Sequence, residues 1–428
     1  MTKYVTLVGK TLKTENQIPE DDAEFVLPGD TPGDYIPISK KLLSKHILLI
    51  GGIGTGKTNT INLLLRNLMD TMDNNDVMVI FDPKRDYYDE FYKEGDIVIS
   101  NDETCTTYWN VFNEILIDDR IEENINEIAS YFYKDRIDKS SNPFFPSAAK
   151  DVFASVLSYI IRKNKTGLMN NRALRNIVDT ASSSDYIKIF NKYDDLSGIC
   201  SYIADDAKGQ AQGVIAEYKQ ALREIFIGNF KKEGDFSIRK AIREKGRKVI
   251  YIEYDLGLGR TLAPIYSLLF DLAIKESLCR SKEDKGNVYF IMDEFRLLRP
   301  LSHMDNGINF GRSLGAKFVT GLQNAEQIYD VYGENAGRSI LSGFNTLIGF
   351  NVSDKATREL IEERSGESIK LLSRQSQIRS RGVQEDIQRA NCIEDPDIGD
   401  LGLGQAIIQH GNLDPFIFKF REYKKVKK

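Results

Sequence analysis

Apolar residues along this chain fall into two patterns. The first is a set of short, nearly continuous runs bounded by glycine, proline or acidic residues. They are His46–Ile50, Asp76–Phe81 ending at Pro83, Gly95–Ile99, Lys248–Ile252, Val288–Met292, Ala316–Gly321 and Thr346–Phe350. Runs of this length read as strands buried on both faces. The second pattern fills roughly 120–240, where Ala149, Val152, Phe153, Val156, Leu157 and Ile160 recur at helical spacing and strand-like runs vanish. Strands alternating with helices, such as the one expected over 262–279, predict an α/β domain with a mostly parallel central sheet and helices on both faces. The pattern divides the chain into a discontinuous sheet domain, 1–119 and 240–428, and an inserted all-α domain, 120–239. The opening stretch 1–45 is polar and turn-rich, with Pro19, Pro28, Pro32 and Pro37, and reads as short strands and loops covering a sheet edge. Segment 366–389, rich in Ser, Gln and Arg, is expected to be mobile, and a strand pair, 404–410 and 416–420, closes the chain.

Composition narrows the class. With 428 residues, two or three domains are expected, and 41% hydrophobic residues suffice for sizeable cores. Cys105, Cys200, Cys279 and Cys392 are far apart with no C-x-x-C pair, which argues against zinc and disulfides and fits a reducing cytoplasm. Three histidines, His46, His303 and His410, make a histidine-rich metal site a poor reading. No apolar run approaches the roughly 20 residues that cross a bilayer, and no signal-peptide pattern opens the chain. A net charge of −5 does not argue for a nucleic-acid partner, although basic residues concentrated in a channel would still permit one.

The chemistry starts between the run at 46–50 and the leucine-rich stretch that follows. Gly51-Gly52-Ile53-Gly54-Thr55-Gly56-Lys57-Thr58 fits G-x-x-x-x-G-K-[ST] in a strand–loop–helix context. Glycines let backbone N–H groups close around a polyphosphate while the helix, continuing through Asn59, points its positive end at the same anion. Lys57 reaches the β- and γ-phosphates and Thr58 offers a hydroxyl to Mg²⁺. The competing readings are an ordinary glycine-rich turn and a dinucleotide loop. The latter fails because Gly56-Lys57 stands where a third glycine is needed. The octet predicts a nucleoside triphosphate with Mg²⁺, held in a cradle shared by kinases, GTPases and motors.

Strand Val288–Met292 runs into Asp293-Glu294, a Walker B arrangement in which Asp293 holds Mg²⁺ through water and Glu294 orients and polarises the attacking water. Alone, two acids at a strand end would read as a solvated terminus. Gln323, after the strand 316–320, is placed to sense the γ-phosphate, while Asn324 equally reads as a helix cap. Arg312 has two readings, a surface ion pair or an arginine stabilising charge on the transferring phosphoryl group. The same pair of readings holds for Arg338 and Arg364.

Together these motifs resemble the conjugative coupling proteins, the TraD/TraG-like ATPases of type IV secretion systems in the FtsK/HerA superfamily. The resemblance covers nearly the whole chain. It includes His46, Phe81-Asp82-Pro83-Lys84, Gly95-Asp96, the segment Tyr108-Trp109-Asn110-Val111-Phe112-Asn113-Glu114, Asn142–Ala149, Asp293-Glu294-Phe295 and Gly402–Ala406. It implies that the nucleotide is ATP, and with it a RecA-like P-loop NTPase domain, a cytoplasmic all-α domain and a hexameric ring with a central DNA channel. It also implies that Arg312 is an arginine finger given to the neighbouring subunit and Gln323 the glutamine motif. Family members commonly begin with transmembrane helices, which this sequence does not show. Either the chain is a shortened form lacking its N-terminal anchor, or it contacts the membrane only through partners, at the cytoplasmic face of the bacterial inner membrane.

The resemblance implies a motor that delivers relaxase-bound DNA to a conjugation channel and binds DNA without sequence readout. Such contacts go to phosphate, for which Lys231, Lys232, Arg239, Lys240, Arg243, Lys245, Arg247 and Lys248 are candidates. Interleaved Glu233, Asp235 and Glu244 equally make this a solvated helix face. Tyr186, Tyr193 and Tyr202 read as core or interface residues rather than base-stacking platforms, and the tail Lys424–Lys428 as a solubilising end. A HerA-like DNA translocase or a secretion assembly ATPase is the nearest alternative. A nucleotide-gated adaptor that recruits secreted protein is an alternative from another class.

Overall fold

The computed structural model describes residues 3–204, 209–281, 283–375 and 383–425. By its internal contacts the chain forms two units: 1–81 with 86–93 and 277–428, and 82–85 with 94–276.

The first unit is built on a twisted sheet whose strands run in the order Phe416–Lys419, Gln405–His410, Thr346–Phe350, Ile47–Ile50, Ala316–Leu322, Val288–Met292, Val77–Asp82. From Thr346–Phe350 onward every pairing is parallel, and the two C-terminal strands add on antiparallel. The parallel strands are buried along their whole length, which is why they read as unbroken apolar runs. The helix Lys57–Thr71 buries Ile61, Leu64, Leu65 and Leu68. The opening segment meets the edge strand of this sheet: Lys13 pairs with Phe416 and Gly29 with Phe420. Ala23–Pro28 and Tyr35–Ser39 form a separate antiparallel pair.

Of the segment expected to be mobile, residues on either side lie in the strands Glu367–Gln375 and Val383–Asn391. These pair with each other, and Lys3–Gly9 joins Glu367–Gln375 as the third strand. Residues 376–382, in the middle of that segment, lie outside the described residues. So do 426–428 of the basic tail.

The second unit carries the parallel strand pair Ile97–Ile99 and Lys248–Glu253, and helices throughout the described residues of 121–244. Helix Phe144–Arg162 is, by length and composition, apolar enough to cross a membrane, although no run of that kind was expected from the sequence. Its Val152, Phe153, Val156, Leu157 and Ile160 are fully buried inside the helical unit, a use that accounts for the composition. The tryptophan–asparagine segment is a buried latch. Asn110 caps the helix Val111–Ile115 by accepting from the Phe112 N–H, and Trp109 Nε1 donates to Glu114 at 3.0 Å. Glu114 also accepts from Ser237 Oγ and from the N–H groups of Ile238 and Arg239, so it caps the helix Ile238–Glu244. Arg239 is fully buried and bonds Glu276, Asp118 and Asn124. Arg243 is tied to Glu276 and Asp118. These two arginines of the proposed phosphate-contacting set are therefore committed to internal partners. Tyr186 is core, packed edge-on to Tyr218. All four cysteines are free thiols.

Candidate functional site

Strand register assembles the site. Ile50 lies beside Leu322, and Met292 beside Thr320. The chain segments that follow these strands, Gly51, Gln323 and Asp293, therefore emerge at one carboxyl edge, where open α/β sheets place their ligands. A Cβ on Gly51 would lie 2.5 Å from Phe350 Cβ, so only glycine fits where the loop leaves the strand. Gly54 and Gly56 have φ of 74° and 125°, left-handed conformations costly for any other residue. Thr55 Oγ1 donates to the Gly52 carbonyl at 2.8 Å and closes the loop. Helix Lys57–Thr71 starts without a side-chain cap, which leaves its first amides available to an anion.

Lys57 is buried, and its Nζ donates to the carbonyls of Gly51 (2.5 Å) and Gly52 (2.9 Å). Thr58 Oγ1 donates to Asp293 Oδ2 at 3.1 Å, and the Tyr87 hydroxyl donates to the same oxygen at 2.8 Å. Asp293 Oδ1 accepts from the Glu294 N–H at 3.1 Å. Gly321 faces this carboxylate so closely that a Cβ there would lie 2.6 Å from Oδ1. Glu294 has φ 56° and ψ 44°, a left-handed conformation rare for a non-glycine residue. Gln323 Nε2 donates to both of its carboxylate oxygens, at 3.0 and 2.9 Å. Asn324 Oδ1 accepts from the Gln327 N–H at 3.1 Å in the first turn of the helix Glu326–Tyr332, although Ala325 stands at the cap position itself.

The donor set fits Mg²⁺ and a triphosphate. A hydroxyl and a carboxylate 3.1 Å apart are hard oxygen ligands. Among the described residues no group of three His, Cys, Asp or Glu could form an all-protein metal cage. Mg²⁺ bound mainly through substrate phosphates and water needs none. A cavity of about 580 Å³ adjoins the loop, lined by Gly54 and Gly56 to Asn59 and by Asp30, Leu403, Gly404, Lys419, Phe420 and Glu422. Sequence reasoning missed the second group. Gly402–Ala406 carried only the resemblance, and the link to the P-loop is made through structure: Gly404 N–H donates to the Thr55 carbonyl, and Asn59 bonds Arg421 and Tyr423. Tyr87 was missed as well, since nothing near it in sequence marks it.

Arg312 is not brought to this site. It follows helix Met304–Phe310, is exposed, and has no ion-pair partner among the described residues. Its charge acts instead on His46, at the start of the P-loop strand. Four strand residues, Ile47–Ile50, separate His46 from Gly51, a span of about 16 Å. His46 itself is buried at φ 63°, donates from Nε2 to the Ile308 carbonyl (3.0 Å), and accepts at Nδ1 from the Phe318 N–H (3.2 Å). Burial pushes the imidazole down to about 4, and the nearby Arg312 charge acts in the same direction. Neutral His46 thus pins the P-loop strand to the strand leading to Gln323 and to the helix leading to Arg312. Arg338 pairs with Glu334, and Arg364 donates to the carbonyls of Leu341 and Phe344, so neither is aimed at the loop.

Comparison with known proteins agrees with this geometry. A family model described as the type IV secretion-system coupling protein DNA-binding domain matches residues 33–388. The coupling protein TraD of Escherichia coli K12 is 22% identical over 341 residues, covering 78% of this chain and 45% of TraD. The chain thus spans about half the length of that curated relative. The plasmid coupling protein TrwB, solved with a non-hydrolysable ATP analogue, superposes with a TM-score of 0.77 at 20% identity, covering 99% of this chain and 96% of TrwB. VirB4 of Thermoanaerobacter pseudethanolicus gives a TM-score of 0.56 at 14% identity, covering 96% of this chain and 99% of VirB4. These folds share the RecA-like α/β architecture with its helical insert. A sheet edge that gathers a P-loop, an Asp-Glu pair and a glutamine, in a chain matched by the coupling-protein model across most of its length, places this protein in the type IV secretion-system coupling protein family.

Proposed function

We propose that this chain is an ATP-hydrolysing, DNA-translocating motor that couples relaxase-bound DNA to a conjugative type IV secretion channel. The observation that carries this reading is the carboxylate arrangement at the P-loop: Asp293 joined to Thr58, and Glu294 held by Gln323. The P-loop amides and Lys57 bind the triphosphate, and Thr58 and Asp293 hold the cation. When bound, Mg²⁺ neutralises charge on the β- and γ-phosphates. Glu294 orients water and takes up its proton, and Gln323, hydrogen-bonded to Glu294, is placed to respond to the γ-phosphate. Asn59 lines the same cavity and also holds its wall by bonding Arg421 and Tyr423.

Arg312 is exposed and acts on His46, at the opposite end of the P-loop strand from the loop, which supports a role in trans: in a hexamer it completes the neighbour's site. The DNA runs through the ring on phosphate contacts from exposed basic residues, among them Lys231, Lys240 and Arg247. The all-α region 120–239 faces the cytoplasm and the ring works at the cytoplasmic face of the inner membrane, reached through partners or through a membrane anchor. DNA-stimulated ATPase activity tests the motor. Hydrolysis should rise with added DNA; hexamers whose hydrolysis ignores DNA would favour a nucleotide-gated adaptor instead.

A further inference from the structure

Asp293 carries more than the P-loop chemistry asks of it. One of its oxygens, Oδ2, accepts two hydroxyls, Thr58 Oγ1 at 3.1 Å and the Tyr87 hydroxyl at 2.8 Å, while Oδ1 accepts the Glu294 N–H. Tyr87 sits on the short helix Asp86–Phe91 and is only 2% exposed. A phenol buried to that degree needs a partner for its O–H, and here that partner is the carboxylate itself.

The consequence follows from donor counting. A threonine hydroxyl has one proton and two lone pairs. Giving its proton to Asp293 leaves the Thr58 lone pairs for a cation. That geometry holds only while the carboxylate keeps its orientation. The carboxylate can turn about its terminal torsion, a broad and weakly restrained one. Gly321 sets a close wall on the Oδ1 side, and Tyr87 fixes the Oδ2 side. Outer partners of this sort orient metal-binding carboxylates, and their loss commonly costs 10–100-fold in metal affinity.

We infer that Tyr87 is a positioning residue for the magnesium site, acting through Asp293 and touching neither nucleotide nor metal. The inference rests on reading Thr58 and Asp293 as the magnesium-holding pair. It is tested with the full chain by titrating Mg²⁺ against binding of a fluorescent ADP analogue, for wild type, Tyr87→Phe and Asp293→Asn. Tyr87→Phe keeps the ring and removes only the hydroxyl. It should raise the half-saturating Mg²⁺ concentration about 10-fold or more, with affinity for the analogue in excess EDTA unchanged. A half-saturation within about twofold of wild type for Tyr87→Phe, with Asp293→Asn strongly shifted, overturns the role of Tyr87 alone. An unshifted Asp293→Asn overturns the magnesium reading on which it stands. Weaker binding of Tyr87→Phe in EDTA as well would also count against it, since that marks general damage to the fold.

Discussion

Replacing His46 with alanine probes the joint that holds the site's strands together. Removing the ring leaves the Ile308 carbonyl and the Phe318 N–H without their partner in a buried site. Each orphan costs about 1–3 kcal/mol, and the lost ring contacts with Phe318 and Phe344 add to this. The variant should be about 3–5 kcal/mol less stable than wild type at pH 7.5. The pH dependence is more discriminating. His46 titrates near 6.5 when unfolded and near 4 when folded. Between those values the unfolded chain binds a proton that the folded chain refuses. The stability that neutral His46 contributes is therefore complete above about 6.5 and lost as pH falls towards 4. At about 1.4 kcal/mol per pH unit, that span amounts to about 3 kcal/mol, of which about 2 is gone by pH 5. The alanine variant has no such group, so the gap between the two proteins should narrow by about 2 kcal/mol from pH 7.5 to pH 5. His410, also pushed down to about 4 by burial, is present in both and cancels. Urea unfolding of both proteins, read by hydrogen exchange of a peptide covering 44–52, isolates the right unit. A gap of the same size at both pH values would refute the reasoning.

Three further outcomes are expected. Glu294→Gln should keep nucleotide affinity while slowing hydrolysis by about 10²–10⁴-fold, checked by phosphate release beside analogue binding. Gly321→Ala should displace the Asp293 carboxylate, since the new Cβ would sit 2.6 Å from Oδ1, and so raise the Mg²⁺ concentration needed for binding in the same titration. Arg239→Ala should destabilise the helical unit by about 3 kcal/mol, since the buried bonds to Glu276, Asp118 and Asn124 are lost and Arg243 is left to pair the two carboxylates. Trp109, the single tryptophan, bonded to Glu114 in the same network, reports that loss by fluorescence during urea unfolding.

The parts of this molecule that were legible in sequence are those whose cause is local. The P-loop spells its own backbone, since Gly54 and Gly56 occur where φ is positive and Lys57 where a helix begins. Strands buried on both faces announce themselves as apolar runs, and the switch to helical spacing near 120 coincides with the helix Ile121–Asp138, inside a unit whose contacts reach from 94 to 276. The order of the strands was not legible, because Ile47–Ile50 pairs with strands that begin at 316 and 346 and nothing in the intervening chain records that choice. Tyr87 was hidden for the same reason, standing 206 residues from Asp293 in an ordinary short helix. Arg239 misled in the opposite direction. A basic run reads as surface, yet this guanidinium is buried because Glu276, Asp118 and Asn124 are folded around it. Arg312 was not decided by motif alone, since an exposed arginine reads equally as a surface ion pair; its charge reaches His46, at the start of the P-loop strand.

The central claim, that each P-loop is half of a site completed by the next subunit, is tested most directly by mixing two inactive variants. Arg312→Ala retains a complete P-loop but has no arginine to give, and Lys57→Ala can give Arg312 but has a disabled P-loop. Mixed in equal amounts under conditions that assemble rings, they should recover ATP hydrolysis well above that of either variant alone. Rings that form from the mixture yet hydrolyse no more than the separate variants would contradict the account.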